Sequence, residues 1–224
     1  MDWQAIDLTA RLAVATTAIL LAVAVPLAAW LTFTPRRWTV LVEAVVALPL
    51  VLPPSVLGYY LLVALGARSP VGRWWESVTG SPLVFTFTGL LVASVLYSLP
   101  FAVQPLLAAF AAVDPRLREA STVLGRTRLA TLLRVVLPLS RAGLATAAVL
   151  TFAHTVGEFG VVLMVGGNIA GETRTLSISI YDDVQSFDYA AAGRTSLALL
   201  AFSVLVLTTT YALQRRGGHG WPVR

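Results

Sequence analysis

The ionisable side chains within apolar segments are the residues best suited to chemistry, and they are few. His154 and Glu158 stand four residues apart, which places them on one face of a helix, and Glu43 lies near the start of another apolar segment. Ionisable groups inside a membrane are costly and usually face protein or water. Glu158 is therefore either a functional residue, or a structural residue held by Arg, Thr or backbone donors between helices.

The residue types that are missing exclude several kinds of site. Without Cys there are no disulfides, thiolate metal sites or Cys nucleophiles. All 16 basic residues are Arg. Because there is no Lys, the chain can contain neither a P-loop nor a Schiff-base site. Two His residues give no metal cluster, and no Gly-x-Ser-x-Gly sequence accompanies His154. We expect a chain that is not an enzyme, that binds no metal or cofactor, and that leaves any ATP hydrolysis to another polypeptide.

The elements that position these residues are predicted to be membrane helices. The mean hydropathy is +0.80 and only 12% of residues are charged, against about 25% in soluble domains. Because about 20 apolar residues cross the hydrocarbon, we predict an all-α polytopic bundle of five helices near residues 10–34, 40–66, 83–112, 142–166 and 191–213. A sixth crossing within 83–112 is the alternative, since Pro100 and Pro105 could break that segment. The membrane domain covers 1–216, and a mobile tail covers 217–224.

The distribution of Arg predicts the orientation of these spans. Eleven Arg residues follow the first, third and fifth spans, and five lie on the other side or at span edges. By the positive-inside rule, the N-terminus is outside and the C-terminus is cytoplasmic. Five spans agree with this, because an odd number places the two termini on opposite sides of the membrane.

The loop at 114–141, which we call the elbow, is the long hydrophilic stretch on the predicted cytoplasmic side. Asp114 is a good N-cap and Pro115 suits the first helical position. A helix of about two and a half turns should follow, with Arg116 and Glu119 able to pair, and Gly125 can adopt the left-handed conformation that ends it. A second helix should end or kink at Pro138. The elbow is either an interfacial amphipathic element or a protein-docking element.

The spacing of residues in the elbow resembles the EAA motif of ABC importer permeases. The matching positions are Glu119, Ala120, Ser121, Gly125, Val135, Leu137 and Pro138, with Ser in place of the second Ala and Val in place of Ile. In that family the elbow is the coupling helix, which inserts into a cleft of the ATP-binding subunit. The resemblance implies a type I importer permease fold and assigns ATPase coupling to these positions together with Arg116.

A second set of segments resembles the molybdate branch of this family. They are Phe85-Thr86, Tyr97–Phe101, Gly157–Gly160, Gly167–Leu176 and Ile180-Tyr181. Relatives that carry tungstate or sulfate share much of this pattern, so all three oxyanions remain open.

The resemblance implies a set of partners in the cell membrane. We expect a homodimer, two ATP-binding subunits that hold ATP and Mg on the cytoplasmic side, an extracytoplasmic oxyanion-binding protein, and no nucleic acid. The alternative is a secondary transporter or channel that works alone, which would need coupling-ion or filter residues in its spans.

Several residues are candidates for the translocation path or its gate. For an oxyanion carrier, a structural role of Glu158 is favoured over a role in the path, because a carboxylate in the path would repel the substrate. Phe159 and Met164 are candidate gate residues, and Pro53 and Pro54 mark a span that is kinked or discontinuous. That kink suits either a moving wall or a static bend. The segment 166–189 is predicted to be an outer loop with a short helix near Thr175–Gln185, which either receives the binding protein or is simply solvated.

Overall fold

The computed structural model describes residues 2–34 and 36–217, and the regular structure in these ranges is helical. The helices are α1 (Trp3–Phe33), α2 (Thr39–Val51), α3 (Pro54–Leu65), α4 (Pro70–Thr79), α5 (Phe87–Ala111), α6 (Pro115–Val123), α7 (Arg128–Thr131), α8 (Leu137–Leu139), α9 (Arg141–Gly157), α10 (Gly160–Gly166), α11 (Leu176–Gln185) and α12 (Tyr189–Gly217), with a π-helical turn at Leu132–Val136. The predicted mobile tail beyond Gly217 lies outside the described residues.

Length and composition identify the helices able to cross a membrane. In the described part of the chain α1, α5 and α12 qualify by themselves, and the number reaches five if each of two bent pairs counts as one span. These pairs are α2 with α3, bent by 113°, and the segment Arg128–Leu139 with α9, bent by 80°. The predicted third span is one helix that continues through Pro100 and Pro105, so the structure does not double it into a sixth crossing.

The centre of the bundle is formed by α1, α5 and α9. Asp2 caps α1 by accepting hydrogen bonds from the backbone N–H groups of Gln4 and Ala5, both at 3.0 Å. Small side chains let the three helices approach closely, as is common in membrane bundles. These buried alanines are Ala24, Ala28, Ala102 and Ala147, and they share one cluster with Leu20, Leu106 and Phe110.

The two broken helices pack against each other beside this centre. The chain leaves α2 at Leu52 and restarts at Pro54, so the predicted discontinuity of the second span is confirmed. The predicted fourth span is also divided, because α9 ends at Gly157, Glu158 and Phe159 are not helical, and α10 begins at Gly160. The segments α3 and α10 share a cluster that contains Leu61, Leu65, Val161 and Val165.

The end of the bundle opposite the elbow is closed by the segment that follows α10. The predicted short helix is present as α11, and the Thr175 side chain accepts a hydrogen bond from the Ile178 N–H as its N-cap. The Leu176 N–H donates to Thr9 Oγ1 on α1 at 2.8 Å. This bond fixes the start of α11 on the central bundle.

Candidate functional site

The first limb of the elbow forms from local sequence signals. Asp114 accepts a hydrogen bond from the Arg116 N–H at 2.9 Å, and Pro115 occupies the first turn of α6. The turn that follows places Gly125 at φ +75°, with no atom within 4 Å of where a Cβ would stand. Since open space surrounds this position, backbone conformation and not crowding is what requires glycine there.

The elbow presents only some of its predicted coupling residues at the surface. Arg116, Glu119, Ala120 and Gly125 are exposed. Ser121 is 4% exposed and hydrogen bonds Thr131 Oγ1 at 2.8 Å. Ala120 is therefore accessible to a partner, whereas Ser121 ties the two limbs of the elbow together.

Arg118 is a contact residue that the sequence reasoning missed. Its guanidinium carbon lies 4.3 Å from the centre of the Phe33 ring, and Phe33 stacks on buried Phe110. The predicted ion pair between Arg116 and Glu119 is wrong, because neither residue forms an ion pair within the described chain. Two features of the sequence could have indicated this contact. Arg118 lies on α6 beside Glu119, and Phe33 is an aromatic residue at the end of a span, where an Arg can stack on its ring.

The second limb anchors the elbow in the bundle. Val136 is fully buried in the central cluster, with Leu137 packed against it, whereas Pro138 is exposed. The π-helical turn ends at Val136, directly before the Leu137-Pro138 pair. After the 80° bend, Ser140 Oγ donates to the Ala109 carbonyl of α5 at 3.3 Å. Movement of the elbow is thereby connected to α5 and α9.

The predicted gate residues Pro54 and Met164 lie in one helix contact, between α3 and α10. A Cβ on Gly160 would stand 2.8 Å from the Pro54 Cβ, and a Cβ on Gly58 would stand 2.9 Å from the Met164 Cβ. Both glycines are thus required by close packing. Pro53 is exposed in the break that precedes α3.

Glu158 lies in a buried polar layer that also contains Thr16 and Ser94. Leu12, Leu90 and Val162 pack together in one cluster. Thr16 and Ser94 follow Leu12 and Leu90 by four residues, so helical register places these two at one level. Glu158 lies in the break before α10, and the Ser94 side chain places it beside this level.

The polar layer lacks hydrogen-bond partners. Glu158 is 3% exposed, and Thr16 and Ser94 are fully buried. The Ser94 hydroxyl faces the carboxyl group. Thr16 Oγ1, Ser94 Oγ and both Glu158 carboxyl oxygens complete no hydrogen bond within the described chain. The expected Arg, Thr or backbone donors are therefore not seen around Glu158.

His154 has a separate environment one turn before Glu158. Its Nδ1 lies 2.9 Å from Ser98 Oγ, and its ring stacks on Phe101 with centroids 3.8 Å apart. Ser98 also lies 3.2 Å from Thr155 Oγ1. These contacts join α9 to α5, so His154 has partners that Glu158 lacks.

Phe159 faces away from the α3–α10 contact. Its ring lies 5.1 Å from that of Tyr181 on α11. Both rings line an open, apolar groove of about 380 Å³, together with Gly157, Ser177, Ile180, Val184 and Leu199. The structure thus separates Phe159 from Met164. Across the described residues no group of three or more His, Asp or Glu side chains could hold a metal ion.

Residues 12–216 match the family described as binding-protein-dependent transport system inner membrane component. The chain is 50% identical over 214 residues to the molybdenum transport system permease protein ModB of Azotobacter vinelandii, covering 96% of this chain and 95% of that protein. It is 34% identical over 176 residues to the protein of the same name from Escherichia coli K12, covering 78% and 77% of the two chains.

Solved structures support the fold. A bacterial ABC transporter involved in the import of the acidic polysaccharide alginate matches with a TM-score of 0.75 at 18% identity, over 95% of this chain and 78% of that one. At this identity the likeness concerns the fold alone. The family match and the curated relatives together establish that the chain belongs to the binding-protein-dependent transport system inner membrane components.

Proposed function

We propose that this chain is the permease subunit of an ATP-driven importer for an oxyanion, with molybdate as the first candidate. Two copies form the translocation path, and two separate ATPase subunits dock on the elbows. A binding protein delivers the anion at the opposite end. The N-terminus is outside and the C-terminus is cytoplasmic. The chain itself holds no cofactor, and ATP and Mg reside on the ATPase subunits.

The observation that carries this proposal is the apolar surface that the elbow leaves uncovered. Val123 is 87% exposed and Leu124 is 77% exposed, directly before Gly125. Leu129, at the start of the second limb, is 64% exposed. Exposed apolar side chains on both sides of a turn, next to exposed Arg126 and Arg128, are typical of a surface that another protein covers. The exposed Ala120 next to them permits close approach.

The same elbow is attached to the bundle firmly enough to transmit movement. Val136 buries the second limb in the central cluster, and Arg118 holds the first limb on Phe33. An ATPase that closes on ATP would move both limbs together and tilt α5 and α9. Coupling steps of this type involve about 1–3 kcal/mol, which these contacts must carry.

The path is proposed to change shape where the helices are broken. The contact between α3 and α10 holds Pro54 against Gly160 and Met164 against Gly58. Pro53 lies in the break before α3, and Glu158 and Phe159 lie in the break before α10. Rotation at these two breaks would alter the path without unfolding either span.

The choice of molybdate is supported by the 50% identical relative, which is named for molybdenum transport. A sulfate transport system permease protein CysT of Escherichia coli is also similar, at 34% identity over 179 residues. Sulfate and tungstate are therefore the competing substrates, and the external binding protein is expected to discriminate among them.

Reconstitution tests the class and the ion together. The chain, its ATPase and its binding protein are placed in proteoliposomes, and uptake of labelled molybdate is measured with and without ATP. We expect uptake that requires all three proteins and is competed by molybdate and tungstate more strongly than by sulfate. Uptake by this chain alone would contradict the proposal and favour a secondary transporter or channel.

Crosslinking tests the docking surface itself. Because the chain has no Cys, Ala120→Cys introduces a single thiol on the elbow. It should crosslink to the ATPase subunit, whereas Ser77→Cys at the other end of the bundle should not. Failure of Ala120→Cys to capture the ATPase in an assembled complex would remove the elbow from the coupling interface.

A further inference from the structure

The short helix α4 has three different faces. On one face, Gly72 touches the backbone of Gly66 so closely that a Cβ would stand 2.1 Å from the Gly66 carbonyl oxygen. Next to it, Trp75 packs against the cluster that contains Leu61 and Leu83. This face therefore fixes α4 to the end of the bundle opposite the elbow.

A second face of α4 is apolar but uncovered. Val71, Trp74 and Val78 follow each other at helical spacing and are 48%, 63% and 67% exposed. The third face is polar and carries Arg73, Glu76 and Ser77, all exposed. The apolar and polar faces lie on opposite sides of the helix, with the protein contact at the edge between them.

The uncovered face is continuous with the apolar surface of the membrane-crossing part of the chain. The exposed apolar side chains of the preceding helix α3 are Val56, Tyr59, Tyr60 and Val63. A four-residue turn joins the two helices, and the Ser69 N–H donates to the Gly66 carbonyl at 2.9 Å. The chain belongs to a family of inner membrane components, and exposed apolar side chains on a membrane-crossing helix are suited to contact with lipid.

Both ends of α4 are satisfied within the chain. Ser69 accepts a hydrogen bond from the Gly72 N–H at 2.8 Å, and Pro70 occupies the first turn. At the other end Gly80 adopts φ +74° and donates its N–H to the Glu76 carbonyl. No partner is needed to cap the helix. The part of α4 that remains uncovered is its apolar face, which we call the apolar stripe (Val71, Trp74 and Val78).

We propose that α4 is an interfacial anchor that inserts Val71, Trp74 and Val78 into the boundary between lipid headgroups and acyl chains. Trp favours this boundary because its ring is apolar and its N–H is polar. Arg73 and Glu76 then face headgroups and water, as in other amphipathic helices that lie in the membrane plane. The anchor sets the depth of α3, which ends at Leu65, and thus the position of the broken span that contacts α10. This inference rests on the family and the fold and does not depend on the transported ion.

The absence of Cys makes the test direct. Single variants Val71→Cys and Val78→Cys report on the apolar stripe, and Glu76→Cys and Ser77→Cys are the matched controls on the polar face. Each full-length variant is spin-labelled, assembled with its ATPase subunit, and placed in nanodiscs of phosphatidylethanolamine and phosphatidylglycerol. Collision of the label with oxygen, which concentrates in lipid, is compared with collision with a water-soluble nickel chelate.

We expect labels at 71 and 78 to collide several-fold more with oxygen than with nickel, and labels at 76 and 77 to show the reverse. Equal nickel access at all four positions would place the stripe in water and overturn the proposal. Nickel access at 71 and 78 that disappears only when the binding protein is added would identify a protein-docking face instead. Dipolar broadening between labels at 78 would identify a second copy of this chain as the occupant, and would also overturn the lipid anchor.

Discussion

The elbow and the buried polar layer both contain polar residues, but water can reach those of the elbow, whereas protein surrounds those of the layer. In the elbow, Arg116 and Glu119 are exposed and their backbone conformation follows from the neighbouring cap at Asp114. In the polar layer, Ser94 and Glu158 are buried and face each other without completing a hydrogen bond. Local signals formed the first region, whereas packing of distant segments formed the second.

This difference predicts different consequences of substitution. A change on the elbow surface should alter docking and coupling while leaving the fold intact, because surface substitutions usually change stability little. A change in the polar layer or in the helix contacts beside it should alter stability directly, because each group there touches several helices. The following substitutions test this division.

The largest effect is expected from Gly125→Val, which strains the left-handed turn of the elbow. A side chain at φ +75° costs about 1–2 kcal/mol, and more for a β-branched residue. Insertion should remain normal while ATP-dependent uptake falls by about 5–150-fold, the range of a typical coupling energy. Uptake and ATP hydrolysis are measured on the same proteoliposomes. Gly193→Val is the matched control, since Gly193 lies in α12 with open space around it, and normal uptake by Gly125→Val would contradict the coupling role.

Glu158→Gln tests whether the polar layer is destabilising. A buried polar group without partners costs about 1–3 kcal/mol, and a charged one costs more, so the neutral amide should raise the thermal unfolding midpoint in detergent. Glu43→Gln, on a half-buried carboxyl near the start of α2, should change it little. An unchanged or lower unfolding midpoint of Glu158→Gln would show that the carboxyl group has a stabilising partner. A higher midpoint together with loss of ATP-dependent uptake would assign Glu158 to the gate.

The contact between α3 and α10 gives a test with an internal control. Gly58→Ala places a Cβ against Met164 and should destabilise the chain by about 1–3 kcal/mol through overpacking. Met164→Gly removes the Cβ and Cγ that stand 2.9 and 3.0 Å from this position, so the double variant should recover part of the loss, with an interaction energy of about 0.5–3 kcal/mol. Thermal unfolding of the four proteins measures this energy. Additive effects would mean that the two helices do not meet at this point.

The smallest effect is expected from Arg118, which tethers the elbow to Phe33 at the end of α1. Arg118→Gln removes the cation from the Phe33 ring and should cost about 0.5–1 kcal/mol. Phe33→Leu should abolish the difference between Arg and Gln at position 118. Arg116→Gln is the control, at an exposed position that forms no ion pair with any residue that the structure describes. Equal stability of all variants would show that the elbow is not tethered through this contact.

Local patterns were sufficient to predict most of the elbow. Asp114, Pro115 and Gly125 each act on their own few neighbours, so the cap, the start of α6 and the turn could be inferred without knowing the fold. The burial of Ser121 could not, because it depends on Thr131 in the second limb. The 80° bend after Leu139 likewise depends on how α9 packs against α5.

The broken spans show where local patterns fail. Pro53 and Pro54 predict that a helix is interrupted, since proline lacks a backbone N–H, but the 113° bend is set by the contact of α3 with α10. Glu158 was recognised as a costly residue. Thr16 and Ser94 were not, because each is an ordinary polar residue in its own helix and only the packing of α1 against α5 buries them.

The sequence by itself determined that the chain belongs in a bilayer, where several of its helices begin, and where the turn at Gly125 lies. Apolar run lengths and capping residues act over a few positions and carry this information directly. The tertiary structure alone decided which polar atoms are buried together, which glycines are crowded, and which face of α4 remains uncovered. Those properties depend on distances between residues far apart in the chain, and helix packing sets such distances.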